Sequence, residues 1–134
     1  MPPLGPLDHV AIVVPDTEAA LAVWRDRVGL PVLFTEVIQG GAIRLTHLDL
    51  GNTHLQLVEP LTADHPLQLW LAEHGPGLHH LCWQVDDVAQ AGADLAQRGL
   101  PPAEAQPHQA PQGKRALFME RAAAGGVQVE LTGK

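Results

Sequence analysis

The chain has 134 residues, fifteen acidic side chains against eight basic ones, and a single cysteine, Cys82. That length suits one domain with a substantial core. A net charge of −7 excludes a broad basic surface for nucleic acid, and one cysteine excludes an intrachain disulfide or a thiolate-rich zinc site.

The first apolar run, Val10–Val14, follows Asp8 and His9 and stops at Pro15. It is predicted as a strand, too short for a membrane span or the apolar region of a secretion signal, so a soluble cytoplasmic protein is expected. Asp16 and an alanine-rich helix follow, closing at Gly29. Strands are predicted over Pro31–Thr35, Ala42–Leu50 and Thr53–Glu59, the last two joined by a Gly-Asn-Thr turn at 51–53. The linker 60–77 is punctuated by Pro and Gly and holds a short helix over Asp64–Glu73. "GLHHLCWQV", 77–85, is the next strand, followed by Asp87 and a second alanine-rich helix ending at Gly99. Strands are then expected over Arg115–Met119 and Gly126–Leu131, with a weaker one near Pro102–Ala105.

These elements repeat. "LDHVAIVVPDTEAALAVWRDRVGL", 7–30, and "LHHLCWQVDDVAQAGADLAQRGL", 78–100, share one plan, with His9 matching His80 and Asp16 matching Asp87 at an offset of 71. The predicted fold is α+β: a single domain over 1–134, built from tandem βαβββ halves at 7–60 and 77–132.

Alternation along the strands selects the residues able to do chemistry. In 77–85, His79, Leu81, Trp83 and Val85 share an apolar face suited to packing on a helix, which turns His80, Cys82 and Gln84 the other way. The same bookkeeping puts His9 opposite Val10, Ile12 and Val14, and Gln56 opposite Leu55 and Leu57. Gln128 and Glu130 stand opposite Val127, Val129 and Leu131. Each half thus offers one imidazole and one oxygen donor: His9 with Gln56, and His80 with Glu130. Such a set suits Zn²⁺, Co²⁺, Ni²⁺, Mn²⁺ or Fe²⁺ and leaves two octahedral positions open. His54, His65, His74, His79 and His108 are read as ordinary surface or hydrogen-bonded histidines.

The segments "LDHVAIVVPDTEAAL", "VGLPV", "LGNTHLQLVEPL", "GLHHLCWQVDDV" and "GGVQVELT" resemble the vicinal oxygen chelate (glyoxalase/bleomycin resistance/dioxygenase) superfamily, and within it the methylmalonyl-CoA epimerases. The resemblance implies paired βαβββ modules forming a cupped mixed sheet around one divalent metal ion, in a homodimer. Its metal ligands fall on His9, Gln56, His80 and Glu130. It implies an acyl-CoA or other thioester substrate, with proton transfer at the carbon alpha to the thioester and a metal-stabilised enolate.

Glu130 is the expected base. Some members of the family carry a glutamate at the position of Leu45, which cannot transfer a proton. His47, two residues further on the same strand face, is the substitute acid/base. A second departure is "FMERAAAGG", 118–126, where the family's His-Pro-Lys is replaced by Glu120, Arg121 and Ala122; Lys114 and Arg115 could supply charge nearby. The competing activities are a lactoylglutathione lyase acting on a hemithioacetal and a non-catalytic drug-sequestering protein.

Overall fold

The computed structural model describes residues 4–134, which form α+β structure with eight strands and three α-helices. The order is β1 (Leu7–Val13), α1 (Thr17–Leu21), β2 (Val32–Ile38), β3 (Ile43–Asp49), β4 (His54–Pro60), α2 (Pro66–His74), β5 (Gly77–Gln84), α3 (Val88–Gln97), β6 (His108–Gln109), β7 (Arg115–Phe118) and β8 (Val129–Gly133). The chain divides into two compact units, 10–79 and 1–9 with 80–134. The element order carries the βαβββ plan twice, as β1-α1-β2-β3-β4 and β5-α3-β6-β7-β8.

In the unit 10–79 the strand order is β2-β3-β4-β1. Asp16 opens α1 by accepting from the Ala19 N–H at 3.2 Å, satisfying one of the helix's unpaired donors. The helix continues as a π-helical turn over Ala22–Arg27. Ile12 and Val14 pack with Leu21, Leu48, Leu55 and Leu57, with Ala20 and Trp24 against them, as alternation predicts for the apolar face. Ala11, Val13, Ile38, Ile43, Leu45 and Val58 form a second cluster capped by Leu67, Trp70 and Leu71 of α2.

In the other unit β5, β8, β7 and β6 are neighbours in that order. β5 runs parallel to β8, and β7 runs antiparallel to it. Asp87 caps α3 through the Gln90 N–H at 2.9 Å. The apolar face of α3 then buries Val88, Ala91 and Leu95 against Leu117, Met119, Val129 and Leu131, with Trp83 and Val85 alongside. Burying a side chain of this size stabilises by about 1.5–3 kcal/mol, which fixes which face of β5 and β8 turns to the helix.

Three expectations change. The strand expected over Pro102–Ala105 is reduced to an isolated bridge between Pro102 and Met119, and the edge strand is β6 instead. Pro101, Pro102 and Pro107 have no N–H to give a ladder, which confines pairing to His108 and Gln109. The last strand begins at Val129, leaving Val127 exposed rather than packed on a helix. Here Gly126 has φ +91 and the Arg121 Nε–H donates to its carbonyl at 2.8 Å, closing a loop before the strand can start. The strand expected to end at Thr35 runs on to Ile38, because β3 pairs with it as far as Ile38↔Ile43.

Candidate metal centre

Register places the central carboxylate. Glu130 of β8 lies beside Cys82 of β5 on one side and Phe118 of β7 on the other. His80, one pleat before Cys82, shares its face. His9 near the start of β1 completes a buried triad in the unit formed by 1–9 and 80–134.

The donor atoms form a tight triangle. His9 Nε2 and His80 Nε2 are 3.2 Å apart, and Glu130 Oε1 lies 3.1 Å from His80 Nε2 and 3.5 Å from His9 Nε2. A divalent ion bonded to N and O at about 2.0–2.2 Å, with near-right or tetrahedral angles, separates its donors by about 2.8–3.6 Å. The three edges match that spacing closely, so the residues present fit such an ion.

Neighbouring groups orient the triad. Asp8 Oδ2 lies 2.7 Å from His9 Nδ1, which assigns the proton to Nδ1 and turns the Nε2 lone pair towards His80 and Glu130. Glu130 Oε2 lies 3.1 Å from His108 Nε2. His108 Nδ1 is in turn 2.9 Å from both oxygens of Glu104.

Charge follows from this geometry. Burial alone would raise the Glu130 pKa, but the charge of His80 and hydrogen bonds from His108, His80 and His9 together hold it well below the usual carboxylate range. For His9, burial disfavours the proton and is the largest single influence, yet Asp8 and Glu130 together outweigh it and the pKa rises. His108 shows the same balance, with burial overcome by Glu130 and Glu104. Burial pushes the Cys82 thiol up; with Asp8 and His9 it forms a second group of donors beside the triad.

Of the residues expected from the sequence, His9, His80 and Glu130 come together. Gln56 and His47 belong to the unit 10–79, where they are register partners on β4 and β3 and both buried. Gln56 Nε2 is 3.0 Å from His47 Nε2, and His47 Nδ1 is 2.9 Å from Nδ1 of half-buried His54. Leu45 is buried in the apolar cluster with Val13, Ile43 and Val58. His108 and Glu104 were not anticipated. They lie in a segment with no periodicity, and β6 is too short to show alternation.

The model of the Glyoxalase/Bleomycin resistance protein/Dioxygenase superfamily matches residues 8–118. The chain belongs to this superfamily. Among curated relatives, the mitochondrial methylmalonyl-CoA epimerase of Mus musculus is 33% identical over 96% of this chain and 72% of its own length. The ethylmalonyl-CoA/methylmalonyl-CoA epimerase of Cereibacter sphaeroides is 32% identical over 96% of this chain and 97% of its own length. Among solved structures, the methylmalonyl-CoA epimerase of Mycobacterium tuberculosis superposes with a TM-score of 0.88 at 26% identity, covering 98% of this chain and 89% of its own. A methylmalonyl-CoA epimerase in complex with methylmalonyl-CoA and NH4+ superposes with a TM-score of 0.86 at 31% identity, covering 98% of this chain and 95% of its own. This superfamily member therefore shares fold and sequence with epimerases along nearly all of its length.

Proposed function

We propose that the chain is a divalent-metal-dependent epimerase of methylmalonyl-CoA, with His9, His80 and Glu130 as ligands and Gln56 as the fourth. The buried triangle of donors carries this reading, together with the names of the similar proteins. Gln56 enters through the sequence repeat, since its spacing from His9 parallels that of Glu130 from His80.

The reaction inverts the carbon between a thioester carbonyl and a carboxylate. A divalent ion at the triad supplies the positive charge that lowers the cost of an enolate. The chain must do the rest. In this reading Glu130 loosens from the ion as it accepts the α-proton. Positioned acid–base catalysis contributes roughly 10²–10⁴-fold. His47, backed by His54, is the donor to the opposite face in this reading. Asp8 keeps His9 in the tautomer whose Nε2 can ligate. The reading includes a cytoplasmic homodimer, and no described helix is long and apolar enough to cross a membrane.

The test is exchange of the α-proton of methylmalonyl-CoA with solvent deuterium, in metal-loaded wild type and Glu130→Gln. Exchange by the wild type and its loss in the variant are expected, and equal rates would remove Glu130 as the base. Activity on the methylglyoxal–glutathione hemithioacetal alone would replace the epimerase reading with a lactoylglutathione lyase.

A further inference from the structure

Resting on the reading that His9, His80 and Glu130 hold a divalent cation, we propose that His108 is a positioning residue that confines Glu130 to ligation through one oxygen. The two oxygens of Glu130 have different neighbours. Oε1 faces the histidine pair, at 3.1 Å from His80 and 3.5 Å from His9, whereas Oε2 is 3.1 Å from His108 Nε2. An imidazole N–H on Oε2 draws negative charge to that oxygen and fixes the tilt of the carboxylate, which favours ligation through Oε1 alone.

His108 is itself held on three sides. Its Nδ1 is 2.9 Å from both oxygens of Glu104, and its ring stacks on Phe118 with centroids 5.2 Å apart and planes 22° from parallel. Glu104 is anchored in turn by the Phe118 N–H at 2.7 Å. Each ring nitrogen of His108 thus lies at hydrogen-bond distance from a carboxylate. The imidazole cannot swing away from Oε2 without breaking the Glu104 bonds and the stack.

The unit 10–79 builds the same device from different residues. Gln56 Nε2 is 3.0 Å from His47 Nε2, His47 Nδ1 is 2.9 Å from His54 Nδ1, and the His47 ring stacks on Phe34 with centroids 4.4 Å apart and planes 19° from parallel. In both units a phenylalanine-stacked imidazole occupies one of the two polar atoms at the end of an oxygen-donor side chain. The sequence repeat does not show this, since Phe34 precedes His47 and Phe118 follows His108. The consequence is chemical: a bidentate Glu130 would fill a coordination position that a substrate chelating through two oxygens requires.

The probe is Co²⁺, whose visible absorption weakens as coordination number rises. Wild type, His108→Phe and His108→Gln are titrated with the metal in the absence of substrate. The phenylalanine keeps the stack and loses the N–H; the glutamine restores a donor. His108→Phe should bind Co²⁺ with several-fold lower absorptivity, and His108→Gln should recover the wild-type spectrum. A wild-type spectrum in His108→Phe would overturn the proposal while leaving the metal site standing. A wild type that takes up no Co²⁺ would instead overturn the site, and this role with it. Should His108→Phe fail to fold, infrared difference spectra of the loaded wild type decide: a wide splitting of the carboxylate stretches is expected for one-oxygen ligation, and a narrow splitting overturns it.

Discussion

His9 Nε2 and His80 Nε2 stand 3.2 Å apart although 71 residues separate them in the chain. That separation in sequence equals the repeat offset, so the two imidazoles are equivalent members of the two halves. Two buried ring nitrogens at this distance share a proton or a cation, and the third donor, Glu130, supplies the negative charge.

Asp8 fixes the tautomer of His9 with a 2.7 Å contact to Nδ1. Asp8→Asn can donate to that nitrogen as well as accept from it, so the Nε2 lone pair is no longer guaranteed. Metal affinity should fall ten- to a hundredfold, read by Co²⁺ or Zn²⁺ titration with the melting temperature as a control for folding. Unchanged affinity would show that Asp8 does not act through His9.

His47 is open to two roles that one pair of variants separates. His47→Gln can keep a hydrogen bond to Gln56 but cannot exchange a proton near neutral pH; His47→Phe keeps neither. If His47 transfers the second proton, both variants should lose epimerisation by roughly 10²-fold or more. If it only holds Gln56, His47→Gln should stay within a fewfold of wild type. Stereochemical inversion measured in deuterated solvent is the readout.

Leu45 stands where some family members carry a glutamate, but its surroundings here are Ala11, Val13, Ile43 and Val58. Leu45→Glu would bury a carboxyl group among methyls. A loss of about 3 kcal/mol is expected from lost packing and desolvation together, measured by urea unfolding. A variant as stable as wild type would mean that this cluster admits a charged group after all.

His65 caps α2, accepting from the Leu67 N–H at 3.1 Å through Nδ1. That nitrogen accepts only while the ring is neutral. Burial, opposed by the weaker pull of Asp64, lowers the pKa in the folded state. The cap's contribution is therefore complete above the unfolded-state pKa and is lost as pH falls through the lowered folded value. His65→Asn caps without titrating, so wild type should lose stability relative to it as pH falls from about 7.5 to about 5. Parallel stability curves for the two proteins would refute the cap's protonation.

Much of this protein is legible from its residues alone. Alternation in β1, β5 and β8 turned His9, His80 and Glu130 away from the helices, because aliphatic side chains on the opposite face must be buried and a strand has only two faces. The Asp-helix-Gly pattern marked α1 with its π-helical continuation and α3, since caps are local chemistry within a few residues. The duplication then made the two histidines equivalent.

What tertiary structure alone decided is the set of groups behind the buried triad. Glu104 and His108 lie in a proline-rich stretch with no period, and their partners Phe118 and Glu130 are distant in sequence. His47 and His54 meet across a hairpin, Nδ1 to Nδ1, through side-chain rotamers that no pattern encodes. Hydrogen bonds between side chains depend on distances of a few tenths of an ångström, whereas burial of an apolar face depends only on which residues are greasy; the second can be read along a chain, and the first exists only once it has folded.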